Sequence, residues 1–335
     1  MDLITVGITQ FEYDKGERIF RYAEKDGLRC IPMPGEESEL AAELRHHGAS
    51  HVVLGVECYR SELYDVLPKG GVIARYGVGF DSLNLARASE RGLLCVNTPG
   101  ALEESVAEYT VALILAASRN IPALNAGVRK GEWKPHLGSE LRGKRLAIIG
   151  CGQIGRSVAR IASAGFGMVV IGSEVRYVDR ELMKREYGFS DVVRDFATAV
   201  NGADFVSLHI PSTPATRHFI NTRRLGLMSP GSWLINTSRG AVVDEVGLYD
   251  ALVSGIICGC ALDVCQSEPY SPVQPGKDLR SLDNVIITPH VASSTVEACD
   301  RVAERALSNI LLAERKEYEN MDLLNPEVLL NLEDE

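Results

Sequence analysis

Arg145-Leu146-Ala147-Ile148-Ile149-Gly150-Cys151-Gly152-Gln153-Ile154-Gly155 is the stretch that decides the fold. Its first half is a short apolar run without alternation, the pattern of a strand buried on both faces. The run leads directly into G-x-G-x-x-G. Gly150 permits the tight turn, Gly152 lets the backbone approach a pyrophosphate, and Gly155 lets the next helix pack closely on the strand. Gln153 and Ile154 open that helix, whose free N–H groups and positive end suit phosphates. After the next strand comes an acid, in Val169-Val-Ile-Gly-Ser173-Glu174. A carboxylate here accepts hydrogen bonds from ribose hydroxyls and repels a 2′-phosphate, which favours NAD. Ser173 and Arg176 keep NADP open, because a hydroxyl and a guanidinium suit that phosphate. The chain also holds an internal control. Gly77-Val78-Gly79-Phe80-Asp81-Ser82 begins G-x-G after a strand, yet lacks the third glycine and the downstream acid.

Strand-like and helix-like segments alternate along all 335 residues, the rhythm of α/β folds with parallel sheets. Strands are expected at 3–8, 51–55, 72–75 and 93–96, with polar helices at 36–46 and 81–91. A second series, at 144–149, 168–172, 204–209, 232–236, 256–264 and 284–288, makes six strands of a dinucleotide-binding sheet. Residues 103–119 read as one long helix, with Val106, Tyr109, Thr110, Leu113 and Ala117 near one face. The helical stretch 294–317 returns to the first domain. The expected division is therefore a discontinuous substrate domain, 1–100 plus 292–335, and a dinucleotide-binding domain, 101–291, with a cleft between them.

Composition narrows the class of function. Apolar residues make up 45% and charged residues 24%, an ordinary globular balance. A formal charge of −10 argues against a nucleic-acid surface. The opening Met1-Asp-Leu-Ile-Thr has no basic n-region or long apolar h-region, so no signal peptide is expected, and no run is long enough for a membrane span. Eight cysteines are too sparse for a disulfide framework, which fits a reducing cytoplasm. Cys258-Gly-Cys260 with Cys265 lies on an apparent buried strand and has no histidine at zinc-like spacing, so no metal is expected. His46, His47 and His51 read as surface residues near a helix end, and His209 as structural.

Three polar residues follow the ends of strands in the second series: Arg239 in Asn236-Thr-Ser-Arg-Gly240, Glu268 in Ser267-Glu-Pro269, and His290 in Thr288-Pro-His290. Each alone has a bland reading, as a phosphate contact, a solvated turn residue or a loop histidine. Beside a dinucleotide turn they make a set. A guanidinium grips a carboxylate in a planar, charge-assisted fork. An imidazole gives or takes a hydroxyl proton, and a carboxylate orients it. These are the parts needed to interconvert a 2-oxo and a 2-hydroxy acid.

Several blocks, in order along residues 70–295, carry a resemblance. They are Arg75-Tyr-Gly-Val-Gly-Phe-Asp81, Val96-Asn-Thr-Pro-Gly100, Ser105-Val-Ala-Glu108, the glycine turn, His209-Ile-Pro211, Asn236 to Asp244, Ala261-Leu-Asp-Val264 and Thr288-Pro-His290. The chain resembles the D-2-hydroxyacid dehydrogenase family, most closely its phosphoglycerate dehydrogenase and hydroxypyruvate/glyoxylate reductase branch. The resemblance implies two doubly wound parallel-sheet domains, a flavodoxin-like substrate domain and a Rossmann NAD-binding domain. It implies Arg239 as the substrate-orienting cation, His290 as acid/base and Glu268 as its partner. Asp263 would lie near the nicotinamide carboxamide, Gln153 and Ile154 under the pyrophosphate, and Glu174 on the ribose. Ile210, Thr237 and Ser238 would line the cofactor cleft. Val78 and Gly79 would offer backbone N–H groups to the substrate carboxylate, and Arg75 would meet a second anionic group. A homodimer is implied, through 103–119 and the segment to Trp133. Leu102 stands where many members carry Asn, which removes a polar group from the rim of the substrate site. Two other readings compete. An NAD(H)-sensing, corepressor-like binding protein would keep the same fold and the same three residues, and a related enzyme would act on formate or phosphite.

Overall fold

Leu146 and Ile148 point to one face of their sheet and Ala147 and Ile149 to the other, where each pair joins a separate hydrophobic cluster. Burial on both faces explains why the run does not alternate. The computed structural model describes residues 3–332; the first two residues and the last three lie outside it. The chain forms two units, Met1–Leu102 with Ser294–Glu335, and Glu103–Ser293.

The first unit is built on five parallel strands: β1 (Ile4–Thr9), β2 (Leu28–Met33), β3 (His51–Leu54), β4 (Val72–Arg75) and β5 (Leu94–Val96). Their order is β2-β1-β3-β4-β5, so the chain reverses its direction of winding at β1 and β3. That order is flavodoxin-like. Leu40, Leu44, Val52, Leu54, Ile73 and Leu93 form the core against one face. At roughly 1.5–3 kcal/mol for each fully buried aliphatic side chain, this burial fixes the register. β2 is absent from the strands expected from sequence. It is an edge strand with Pro32 inside it and mixed burial, so its apolar signal is weak.

The segment after the helix Val296–Glu314 is tied down by Asn325, which is fully buried. Its side chain accepts from the Cys95 N–H and donates to Leu93 O and Ser89 Oγ. His51 corrects the surface assignment: only 1% is exposed. Its Nδ1 accepts from the Val72 N–H at 3.0 Å, so the neutral ring carries its proton on Nε2, which donates to Glu314 at 3.0 Å. Burial drives its pKa down, partly countered by Glu314.

The second unit carries seven parallel strands: β6 (Arg145–Ile149), β7 (Val169–Ser173), β8 (Phe189–Val193), β9 (Phe205–Leu208), β10 (Trp233–Asn236), β11 (Gly259–Leu262) and β12 (Val285–Ile287). Their order, β12-β11-β10-β9-β6-β7-β8, is doubly wound, with the switch between β6 and β9. The sequence suggested six strands. The seventh, β8, is an edge strand of mixed polarity (Phe-Ser-Asp-Val-Val), and it pairs with β7 through a register shift. β11 is shorter than its apolar run, because 255–258 form the approach to the strand. Among the described residues no single helix is long and apolar enough to cross a membrane.

Candidate active site

The glycine turn begins where β6 ends. Gly150 sits at φ +96°, where a Cβ would lie 2.4 Å from the His209 carbonyl oxygen. A Cβ on Gly155 would lie 2.3 Å from the Gly150 oxygen, so the close packing of helix on turn requires glycine at both places. At Gly152 a Cβ would meet nothing within 4 Å, which leaves that face of the turn open. The helix Gln153–Phe166 starts there, and the N–H groups of Gly152, Gln153 and Ile154 have no acceptor among the described residues. An open glycine face with unspent N–H donors at a helix start fits a pyrophosphate. Burial holds the nearby His209 neutral, with its pKa lowered to about 3, and Ser207 Oγ bonds its Nε2. A structural role suits it.

Arg239, Glu268 and His290 follow β10, β11 and β12, on neighbouring strands of one sheet. His290 Nδ1 lies 2.7 Å from Glu268 Oε2. With Nδ1 bound to a carboxylate, Nε2 remains for proton exchange, and it has no partner among the described residues. Glu268 Oε1 also accepts from the Cys265 N–H at 3.0 Å. Burial raises the Glu268 pKa. The hydrogen bond and charge of His290, the Cys265 N–H and the charge of Arg239 outweigh it, so the net shift is downward. The carboxylate therefore stays ionised through the neutral range.

The loops bearing these side chains are held by residues that sequence reading passed over. Asn236 closes the Arg239 turn: its Oδ1 accepts from the N–H and Oγ of Ser238, and its Nδ2 donates to Arg239 O. Arg239 Nη1 donates to Ser238 O. Gly240 then lies against the next loop, so tightly that a Cβ would fall 2.0 Å from the Cys265 carbonyl. Glu245 and Gln266 exchange hydrogen bonds with each other's backbone N–H, pinning the loop before Glu268. Only the local Asn-x-Ser turn of Asn236 left a signal in sequence. The 245–266 pairing is long-range and left none.

His290 has φ +54°, a left-handed conformation unusual for a residue with a Cβ. It is held there by bonds around Asp263. The His290 N–H donates to Asp263 O at 2.8 Å, and the Asp263 carboxylate accepts from Thr288 Oγ1 and from the N–H groups of Val291 and Ala292. Asp263, 1% exposed, thus acts as a positioning residue for the histidine loop. Thr237 is buried, and its hydroxyl pairs with Thr110 at 2.8 Å; Ser238 and Ile210 are half-buried.

In the first unit, the N–H groups of Val78 and Gly79 have no acceptor among the described residues, and both residues are half-exposed. Asn97 fixes this loop by donating to Val78 O at 2.8 Å. Arg75 lies elsewhere in the hydrogen-bond pattern. Only 5% is exposed, and its Nη1 donates to the carbonyls of Leu54 and Tyr76. Leu102 is buried.

Residues 111–292, more than half of the chain, match the model of the D-isomer specific 2-hydroxyacid dehydrogenase NAD-binding domain. A glyoxylate reductase from Thermococcus litoralis is 40% identical over 288 residues, covering 83% of this chain and 84% of that protein. Among solved structures, a D-lactate dehydrogenase from Aquifex aeolicus, complexed with NAD and lactic acid, is 29% identical with a TM-score of 0.79, covering 96% of this chain and 99% of that one. An NADPH-dependent glyoxylate/hydroxypyruvate reductase from Sinorhizobium meliloti, in complex with NADP and malonate, is 26% identical with a TM-score of 0.78, covering 92% and 93%.

Proposed function

The chain belongs to the D-isomer specific 2-hydroxyacid dehydrogenase family, an NAD-binding group of oxidoreductases, and from that premise we propose that it reduces a small unphosphorylated 2-oxo acid of the glyoxylate or hydroxypyruvate type. The observation that carries this reading is the Glu268–His290 pair, with the charge of Arg239 felt at Glu268. The open N–H groups of Gly152, Gln153 and Ile154 would hold the pyrophosphate of a nicotinamide nucleotide, which would supply hydride chemistry when bound.

The chain's own residues manage charge and the proton. Arg239 binds the acid's carboxylate and faces the carbonyl oxygen, where negative charge grows. His290 donates from Nε2 to that oxygen, and ionised Glu268 fixes the ring through Nδ1. Reduction needs the protonated imidazole, and oxidation needs the neutral one. Arg75 gives a phosphate little support, because its guanidinium is buried and donates to two backbone carbonyls. Glyoxylate and hydroxypyruvate therefore suit the site better than 3-phosphohydroxypyruvate.

The deciding experiment follows NADH oxidation, with an NADPH control, across glyoxylate, hydroxypyruvate, 3-phosphohydroxypyruvate, pyruvate and a bulkier 2-oxo acid. Preference for the first two supports the reading. Preference for the phosphorylated acid would return Arg75 to the substrate site. Tight nucleotide binding without turnover on any acid would favour the sensor.

The same proposal includes a homodimer and a cytoplasmic location. The helix Ile121–Arg129 contributes no buried residue, and Ile121, Val128, Trp133 and Leu137 are exposed, the last two at 84% and 96%. A run of large apolar side chains of this kind needs a partner surface. Light scattering at micromolar concentration is expected to give twice the chain mass, and a monomer mass would refute the dimer. All eight cysteines are free thiols, as a reducing compartment requires.

A further inference from the structure

Two carboxyl groups sit on consecutive backbone N–H groups of the loop that follows β11. Glu268 Oε1 accepts from the Cys265 N–H at 3.0 Å, and Glu245 Oε1 accepts from the Gln266 N–H at 2.5 Å. Glu268 turns its other oxygen to His290. Glu245, at the start of the helix Glu245–Val253, is 4% exposed, and its Oε2 is buried with no hydrogen-bond partner among the described residues. Gln266 cannot serve that oxygen. Its amide oxygen takes the Glu245 N–H, and its Nε2 donates to His218 Nε2 at 3.2 Å.

The ionisable groups around Glu245 are Asp244 at the same helix end, Glu268, Cys265 and Tyr270 on the following loop, Cys260 on β11, and His218 beyond Gln266. Burial drives the Glu245 pKa up; the Gln266 N–H lowers it, and the negative charges of Glu268 and Asp244 raise it further. No cation acts on it among the described residues. An ionised oxygen buried without a donor costs far more than a hydroxyl left without an acceptor. The two carboxyls are thus pushed apart, Glu268 downward and Glu245 upward.

We propose that Glu245 is a positioning residue for Glu268 and acts as a neutral carboxylic acid, fixing the Gln266 N–H without placing a second anion behind Glu268. Oε1 serves as the carbonyl acceptor, and Oε2 carries the proton. An anion in the same place would repel Glu268 across one peptide unit and oppose the ionised state that its pairing with His290 needs. The inference rests on the reading of Glu268 and His290 as the acid/base pair.

The test compares the full chain as wild type, Glu245→Gln and Glu245→Ala. Gln keeps the Oε1 acceptor and is always neutral, whereas Ala leaves the Gln266 N–H unpaired. Glu245→Ala is expected to lower turnover of NADH with glyoxylate by about tenfold or more at unchanged NADH affinity, and Glu245→Gln to restore it to within about threefold of wild type. Infrared spectra at the pH optimum of reduction are expected to show the carbonyl stretch of a buried carboxylic acid that Glu245→Gln lacks. Stability carries a sign as well. Because the folded pKa is raised above the ordinary 4.5, wild-type stability relative to Glu245→Gln should fall as pH rises above that value. The proposal is overturned by a missing infrared band, by a Gln variant as slow as Ala, by an Ala variant as fast as wild type, or by stability that moves the other way. If Glu245→Ala does not fold, the infrared and melting comparison of wild type with Glu245→Gln decides. If the wild type turns over no 2-oxo acid, the acid/base reading falls, and the infrared band still decides whether Glu245 is neutral.

Discussion

His290→Asn is expected to lower turnover by roughly 10²–10⁴-fold, the range for loss of a general acid/base, while nucleotide binding stays as in the wild type. Asparagine is the informative replacement because of the backbone. His290 sits at φ +54°, and Asn adopts that left-handed conformation more readily than most residues. The bonds from His290 N–H, Val291 N–H and Ala292 N–H to Asp263 need no side chain at 290, so the loop can keep its course. What disappears is a proton carrier held by Glu268. Single-turnover rates with NADH and glyoxylate, alongside NADH affinity, separate these effects. A variant that turns over at the wild-type rate would remove His290 from the chemistry. A variant that no longer binds NADH would show damage to the fold instead.

Gly240→Ala is expected to lower stability by about 2–4 kcal/mol and activity by about a hundredfold. The added Cβ would fall 2.0 Å from the carbonyl carbon and oxygen of Cys265 and 2.6 Å from Gln266 N. All of these are backbone atoms, so no flexible side chain can turn aside. One loop has to move by about an ångström for the contact to become tolerable, and the loops concerned carry Arg239 and lead to Glu268. Misplacement on that scale weakens the grip on the substrate carboxylate as well as the orientation of the imidazole. Thermal melting and steady-state kinetics on the same preparation check both effects. A melting temperature and a turnover number both equal to wild type would show that the two loops are not coupled through this contact.

Much of the molecule is legible in its sequence. The glycine turn was read correctly because its requirements are local: a positive φ, a close backbone approach and a strand buried on both faces all act within eleven residues. The long helix Glu103–Arg119 and the central strands of both sheets declared themselves through dense apolar runs. β2 and β8 did not, because an edge strand buries less and its pairing energy comes from a distant neighbour. His51 misled for the same reason. Its position near a helix end suggested solvent, whereas its partners are Val72, twenty-one residues on, and Glu314, at the far end of the chain.

The candidate site divides along the same line. Residue types at strand ends, in family order, make Arg239, Glu268 and His290 candidates by sequence alone, because each chemical task needs a particular side chain. The tertiary structure decided how they are held: the 2.7 Å pairing of Glu268 with His290, the Asp263 carboxylate spent on the histidine loop, and the Glu245–Gln266 exchange. It also decided that Glu174 is already paired with Arg176 and that Arg75 is turned onto backbone carbonyls. Sequence specifies which donors and acceptors exist. Which of them remain available depends on hydrogen bonds closed between segments far apart in the chain, and only the folded structure sets those distances.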